Sequence, residues 1–331
     1  MNKDVPNTKS ASVNGPVLVG IDGSEIALRA LDRAIEEARV RNVGVRLMGA
    51  FPVVGVGDPG LERRFREAVT SENDQNLKAA QDRVAQADVK VDTASGEGDA
   101  AKAIIEAAKE CSLVVMGKRG KGGALRGRLG SVSAAVAAHS PVPVIVVPPR
   151  EEDDSSDVES ARESAHHKDV HVSDKESQGD TRTPASEMDF TGSVVVGVDA
   201  AGEKNPAVAQ AIEYAKAHGS TLSLVSVNGA LSGTPDWFQD QYNQTYYFDE
   251  SVRKLNQIAK DLTEQNPDLK VTRHAFLGRP GRVLVQATRT ADLVVVGSRG
   301  IGGFTGLLLG SVSQSVLGAA AGPVMVVPSG K

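Results

Sequence analysis

The sequence predicts an α/β protein built twice over, each half an open five-stranded parallel sheet with helices on both faces. Three observations carry this expectation. A glycine-spaced segment occurs twice, as GKRGKGGALRGRLGSVS at Gly117–Ser133 and GSRGIGGFTGLLLGSVS at Gly297–Ser313, with ten of 17 aligned positions identical. A β-branched run ending in aspartate also occurs twice, as Val17-Leu18-Val19-Gly20-Ile21-Asp22 and Val194-Val195-Val196-Gly197-Val198-Asp199. Finally, near-continuous apolar runs alternate with helical patterns, which is the signature of parallel strands buried on both faces.

Each copy reads in the same order. After the first strand, Ser24 is placed to cap a helix whose apolar positions Ala27, Leu28, Leu31, Ile35 and Ala38 recur at helical spacing. In the second copy Pro206 stands near the first turn of a helix through Ala211 to Ala217, and Gly219 stops it. Second strands are expected at Val45–Ala50 and Thr221–Val227, third strands near Val89–Ala94 and Lys270–Phe276, and alanine-rich helices at Ala100–Lys109 and Gly281–Thr290. Fourth strands, Leu113–Met116 and Leu293–Val296, run into the glycine segments, and Val142–Val147 and Pro323–Val327 close each copy as fifth strands.

The expected division is a disordered N-terminus (1–14), a first domain (15–150), a linker (151–190) and a second domain (191–331). The linker carries 13 acidic residues against four basic ones and almost no large apolar side chains. Such a segment cannot bury enough surface to offset its ordering entropy, so disorder is expected there. Its surplus of acid exceeds the net charge of the whole chain, −5, which leaves the two domains slightly basic. His166, His167 and His171 lie in it and read as solvated residues rather than a metal site.

Composition excludes several classes. Aromatics make up 4% of the chain and the balance of charge is acidic, so neither a stacking platform nor a basic footprint for nucleic acid is present. No apolar run approaches the roughly 18 residues of a membrane span, and MNKDVPNTKSASVNG lacks a signal-peptide core, so a soluble cytoplasmic protein is expected. Cys111 is the single cysteine and reads as a small buried hydrophobe.

The repeated segment has the spacing Gly-x2-Gly-x9-Gly-Ser: Gly117, Gly120, Gly130, Ser131 and Gly297, Gly300, Gly310, Ser311. Its first two glycines let the backbone turn and approach a ligand with no Cβ in the way. Its last Gly-Ser stands where a helix begins, and the free N–H groups and partial positive charge of a helix N-terminus suit a polyphosphate. Asp22 and Asp199 end first strands, where ligands enter open α/β sheets, and a carboxylate there can accept hydrogen bonds from a ribose or adenine group. Copy one carries Lys118, Lys121, Arg126 and Arg128 where copy two is neutral; these either strengthen phosphate binding or are solvated charges.

With these residues the chain resembles the universal stress protein family in its tandem-domain form, each copy matching over essentially its whole length. The resemblance rests on the Val-Gly-(Ile/Val)-Asp start, the Gly-x2-Gly-x9-Gly-Ser loop and the apolar strand that closes each copy after a proline. It implies a strand order of 3-2-1-4-5, pairing of domains through their fifth strands, either within the chain or across a homodimer, and one ATP site per copy, with Mg2+. Carried over, it puts the first site at Gly20, Asp22, Gly23, Ser24, Ala50, Gly117, Lys118, Arg119, Gly120, Gly130, Ser131, Val132 and Ser133. The second falls at Gly197, Asp199, Val227, Gly297, Ser298, Arg299, Gly300, Gly310, Ser311, Val312 and Ser313. Copy two departs from the pattern after Asp199, reading Ala200-Ala201-Gly202, which shifts its first helix. The function implied is a nucleotide-dependent stress-response regulator.

Other signals are weaker. Gly96-Glu97-Gly98-Asp99-Ala100-Ala101 resembles a dinucleotide fingerprint but follows a third strand, so it reads as a strand-to-helix turn. No GxxxxGK(S/T) occurs. Trp237, Phe238, Tyr242, Tyr246, Tyr247 and Phe248 cluster after the second strand of copy two, as packing of an insertion or as a partner contact. No base, nucleophile and orienting group recur together in both copies, so catalysis beyond slow ATP hydrolysis or self-phosphorylation is not expected. An interaction scaffold with vestigial sites is the remaining alternative.

Overall fold

Two runs of five parallel strands meet edge to edge in one continuous sheet. The structure, a computed structural model, describes residues 14–53, 55, 57–121, 129–149, 170–173, 182–183, 188–198, 205–228, 241–299 and 309–329, without the side chains of 170–173, 182–183, 241–247 and 277. In copy one the chain runs β1 (Val17–Ile21), α1 (Glu25–Arg41), β2 (Val45–Phe51), α2 (Pro59–Ala85), β3 (Val91–Glu97), α3 (Ala100–Ala107), β4 (Leu113–Gly117), α4 (Ser131–His139) and β5 (Val144–Val147). After two short strands, β6 (Val170–Ser173) and β7 (Arg182–Thr183), copy two repeats the series. It runs β8 (Ser193–Gly197), α5 (Pro206–His218), β9 (Thr221–Asn228), α6 (Gln241–Gln265), β10 (Val271–Leu277), α7 (Pro280–Ala287), β11 (Leu293–Gly297), α8 (Ser311–Ala319) and β12 (Val324–Val327).

The sheet order is β3-β2-β1-β4-β5-β12-β11-β8-β9-β10-β6-β7. Within each copy this is 3-2-1-4-5, all parallel, as the resemblance implies. The two five-stranded sheets expected are corrected to one, joined within the chain by the fifth-strand pairing that the resemblance implies: β5 pairs antiparallel with β12, Ile145 opposite Met325. The cause is the edge itself, since two short, buried strands, Val-Ile-Val-Val and Val-Met-Val-Val, satisfy each other's open backbone groups. Disorder across 151–190 is corrected at 170–173 and 182–183, where β6 adds antiparallel to β10 and β7 to β6. The open edge of β10 supplies the hydrogen bonds that composition leaves out of account. The rest of that call, for residues 151–169, 174–181 and 184–187, and the disorder expected over 1–13, lie outside the described residues.

Helices cover both faces, and both cores run unbroken through the two copies. One face packs α1, α2, α5 and α6 over Val17, Val19, Leu47, Ile145, Val196 and Met325, among others; the opposite face packs α3, α4, α7 and α8 over Leu18, Val114, Val146, Val195 and Val326.

Local sequence explains the helix starts and stops. The Ser24 hydroxyl accepts the Ala27 N–H at the head of α1, and Asn42 closes it in the left-handed region at φ 54°. Asn205 caps α5 over Pro206, and Gly219 ends it at φ 65°. As the sequence anticipates, α5 begins later than α1, because a proline is accepted at the first helical position and not inside. Gly98, at φ 103°, turns β3 into α3, where the Asp99 carboxylate accepts the Lys102 N–H. The GxGxxA segment is therefore a strand-to-helix turn.

The copies also meet through α1 and α5. Val17 pairs with Val45 and Val194 with Leu222, so Glu37 and Tyr214 occupy the same position of the repeat, as do Arg41 and His218. Glu37 is fully buried, and its Oε1 accepts the Tyr214 hydroxyl at 2.8 Å. Arg33 and Arg41 reach the same carboxylate from α1 at 3.1 and 3.5 Å, and His218 Nε2 stands 3.3 Å from it. The His218 ring stacks on Tyr214 with centroids 3.9 Å apart. The pseudo-twofold axis thus passes between Ile145 and Met325 in the sheet and between Glu37 and Tyr214 in the helices above it.

Candidate functional site

At the carboxyl ends of β1, β2 and β4 the chain encloses a cleft of about 280 Å³. This is where the strand order reverses, the place open α/β sheets use for ligands. Its floor is Gly20, Met48, Ala50 and Met116, and Ala100 and Ile104 of α3 form one wall. A Cβ at Gly20 would stand 3.3 Å from Ile104 Cδ1, a tight contact that the isoleucine side chain would have to yield to.

The opposite wall is built for an anion. The N–H of Gly130 donates to the Lys118 carbonyl at 2.9 Å and draws the two ends of the glycine loop together. Gly130 then caps α4 without a side-chain acceptor, so the N–H groups of Ser131, Val132 and Ser133 have no helical partner by position. All four residues line the cleft, together with Gly117, Arg119, Gly120 and Lys121. Ser133 is buried, and its hydroxyl donates to the Gly117 carbonyl at 2.8 Å. It serves as the fastener between loop and helix.

Asp22 organises the mouth. Its Oδ1 accepts the Ser24 N–H at 3.0 Å and the Ser24 hydroxyl at 2.6 Å, while Oδ2 accepts the Lys121 N–H at 2.8 Å. Gly23, at φ 76°, makes the turn between them. Gly120 approaches so closely that a Cβ would run into Asp22 Oδ2, and one at Gly117 would run into Ile26 Cγ2. The Lys121 ammonium bonds Glu72 of α2 at 2.6 Å, and this contact holds its pKa above the ordinary lysine value.

Of the residues expected in the first site, Gly20, Asp22, Ala50, Gly117, Arg119, Gly120, Gly130, Ser131, Val132 and Ser133 line this cleft. Gly23 and Ser24 stand behind it and act through Asp22. Lys118 is a correction. It is buried, and its ammonium approaches the Ala320 carbonyl in copy two at 3.4 Å. The reason is its place in the strand: the Lys118 N–H continues the ladder onto the Val147 carbonyl and turns its side chain toward the junction of the copies. Lys121, Met48, Met116, Ile104 and Ala100 also line the cleft. Lys121 stands out in the sequence as a charge on the loop; the others show only as core positions of β2, β4 and α3.

The second site repeats the framework. Gly310 N–H donates to the Ser298 carbonyl at 2.8 Å, Ser298 N–H to the Val327 carbonyl at 2.7 Å, and Gly310 caps α8 with no side-chain acceptor over Ser311, Val312 and Ser313. The Ser313 hydroxyl bonds the Gly310 and Ser298 carbonyls. Ser298 itself is buried, with its hydroxyl accepting the Ser329 N–H at 3.0 Å; like Lys118, it supports the loop from outside. Gly197 and Gly297 hold the corresponding places on β8 and β11, and Arg299 follows β11 as Arg119 follows β4. Val227 lies beside Phe276 where Ala50 lies beside Gly96, and Phe276 is fully buried. Asp199 and Gly300 lie outside the described residues, as do Arg126, Arg128, Trp237 and Phe238.

Among the described residues no group of three or more His, Cys, Asp or Glu is placed to hold a metal ion, and no helix is long and apolar enough to cross a membrane. Phe248 packs into the core; Tyr242, Tyr246 and Tyr247 lie in the first turns of α6.

Residues 14–148 and 191–328 match the sequence model of the universal stress protein family. A curated universal stress protein of Mycobacterium tuberculosis is 28% identical over 334 residues, which cover 94% of this chain and 94% of that one. Another, of Mycolicibacterium smegmatis, is 30% identical over 329 residues, covering 94% and 96%. Among solved structures, a universal stress protein from Archaeoglobus fulgidus shares the fold with a TM-score of 0.64 at 19% identity, over 96% of this chain and 97% of that one.

Proposed function

Because this chain belongs to the universal stress protein family through both of its copies, we propose that it is an ATP-binding regulator with one nucleotide cleft per copy and no substantial turnover of its own. One observation carries this reading. The uncapped N-terminus of α4, the Arg119 side chain and the Asp22 carboxylate line a single cleft of about 280 Å³, near the small end of ligand sites. The phosphates lie against the N–H groups of Ser131, Val132 and Ser133, where the helix terminus and Arg119 offset their charge. Adenosine takes the apolar floor at Ala50 and Met48, with Asp22 at the ribose. Mg2+ enters on the phosphates, since Asp22 is the one carboxylate among the lining residues.

Occupancy of the loops at 117–133 and 297–313 biases association with a protein partner or with a second copy, and the work is done in the cytoplasm. Asp22, the carboxylate among the lining residues, is held by the Ser24 N–H and hydroxyl and the Lys121 N–H, which supports binding over hydrolysis.

The test is to denature freshly purified protein and identify released nucleotide by chromatography and mass spectrometry, then to titrate the emptied protein with Mg-ATP. About two ATP per chain supports both clefts, and about one supports the first alone. Neither released nucleotide nor heat of binding would overturn the reading and leave a scaffold with vestigial sites.

A further inference from the structure

We propose that Glu72 is a built-in competitor for the phosphates at the first cleft, holding the Lys121 ammonium until a nucleotide takes it. This inference rests on the nucleotide reading above and names a specificity residue for it. Lys121 belongs to the lining of the cleft. Its backbone is fixed there by the N–H bond to Asp22 Oδ2, so only the side chain is free to choose its partner. That side chain reaches over the carboxyl edge of the sheet to Glu72 Oε1 at 2.6 Å. About half of each side chain faces solvent, 52% for Lys121 and 61% for Glu72.

The balance of energies favours an exchange. An exposed Lys–Glu pair is a weak, solvent-screened contact, so releasing Lys121 costs little. A phosphate at the head of α4 offers it a doubly charged acceptor inside a cleft, where a charge-assisted bond is stronger than one at the open surface. The lysine stem is long and flexible, and a point charge on such a stem can move from one anion to another with no backbone change. Glu72 opposes the same phosphates by like charge once its lysine has left. Its carboxylate therefore weakens binding twice, by occupying the cation and by repelling the ligand. Elsewhere on α2 the Asn76 side chain abuts Gly23 and the Asn73 side chain abuts Gly49, so this stretch of the helix is held against the rim, and Glu72 with it.

Copy two cannot make the exchange, because the residue matching Lys121 is Ile301. The first cleft is then the one whose preference for phosphorylated nucleotide over bare nucleoside depends on this pair.

The experiment titrates full-length wild type, Glu72→Gln, Lys121→Gln and the double variant with Mg-ATP and with adenosine, following heat at two salt concentrations. Glu72→Gln is expected to bind ATP about threefold more tightly at the first cleft, and Lys121→Gln about tenfold more weakly, with adenosine affinity within twofold throughout. In the Lys121→Gln background, the gain from Glu72→Gln should shrink, since no cation remains to release. ATP affinity unchanged in both single variants would overturn the proposal while leaving nucleotide binding intact. Equal losses for ATP and adenosine in Lys121→Gln would overturn it as well, by showing a loop defect rather than lost phosphate recognition. If wild type binds neither ligand, the functional reading fails first, and the proposal with it.

Discussion

The backbone N–H of Lys121 donates to Asp22 Oδ2 at 2.8 Å, which joins the glycine loop to the carboxylate that ends β1. The close approach needs Gly120, whose absent Cβ leaves the room that Asp22 occupies. Gly120→Ala is therefore expected to push the loop off Asp22 and to weaken Mg-ATP binding at the first cleft at least about tenfold, the loss of one good charge-assisted contact. The sheet lies away from this rim, so the circular dichroism spectrum should not change. Calorimetric titration of the variant measures the effect, and wild-type affinity would refute it.

The carboxylate of Glu37 and the hydroxyl of Tyr214 hold the copies together at 2.8 Å, both side chains buried. Tyr214→Phe leaves a buried carboxylate short of a donor and should cost about 2 kcal/mol, because bonds to charged groups are worth about 1.5–3 kcal/mol. In a Glu37→Gln background the same change should cost about 1 kcal/mol, the worth of a neutral bond. Urea midpoints of the four proteins give the coupling. Additive effects would show that the two groups do not interact in solution.

Acid should weaken the same contact. Burial pushes the Glu37 carboxyl up, but the His218 ring, Arg33 and Arg41 outweigh it, and its pKa falls below the ordinary 4.5. A carboxylate depressed on folding adds stability that is present above its unfolded value and lost as pH drops through its folded one. The stability advantage of wild type over Glu37→Gln should then be present at pH 4.5 and above and be lost as pH falls below it. An advantage that grows as pH falls below 4.5 would contradict this sign.

Cys111 is fully buried at the end of the turn after α3, with Sγ 3.3 Å from the Ala107 carbonyl. Desolvation is the main cause that pushes its thiol up to about 11. Native protein at pH 8 should therefore react with a thiol reagent far more slowly than a free cysteine does, and urea should restore the ordinary rate. A fast native reaction would show that the turn opens readily.

Much of this was legible in the sequence because its causes are local. The strands announce themselves as β-branched runs, Ser24 and Gly219 as helix signals, and Gly117, Gly120 and Gly130 as backbone that must turn tightly or come close. Even the late start of α5 follows from one residue, Pro206. The same local reading misplaced Lys118, a charge on a glycine loop that buries itself toward Ala320 of the other copy. It also passed over Glu37, which on helical spacing alone is an ordinary polar position of α1.

By itself, then, the sequence determined the repeat, the order of strands and helices within each copy, and the loop-and-cap framework of both clefts. Backbone propensity and hydrophobic period act between near neighbours and so are written in the order of residues. Only the tertiary structure decided that the fifth strands, β5 and β12, pair within one chain, that Glu37 meets Tyr214, and that Lys121 rests on Glu72 rather than in water. Each of these joins groups far apart in the chain, and which polar partner a side chain finds depends on what the packed elements bring within a few ångströms of it.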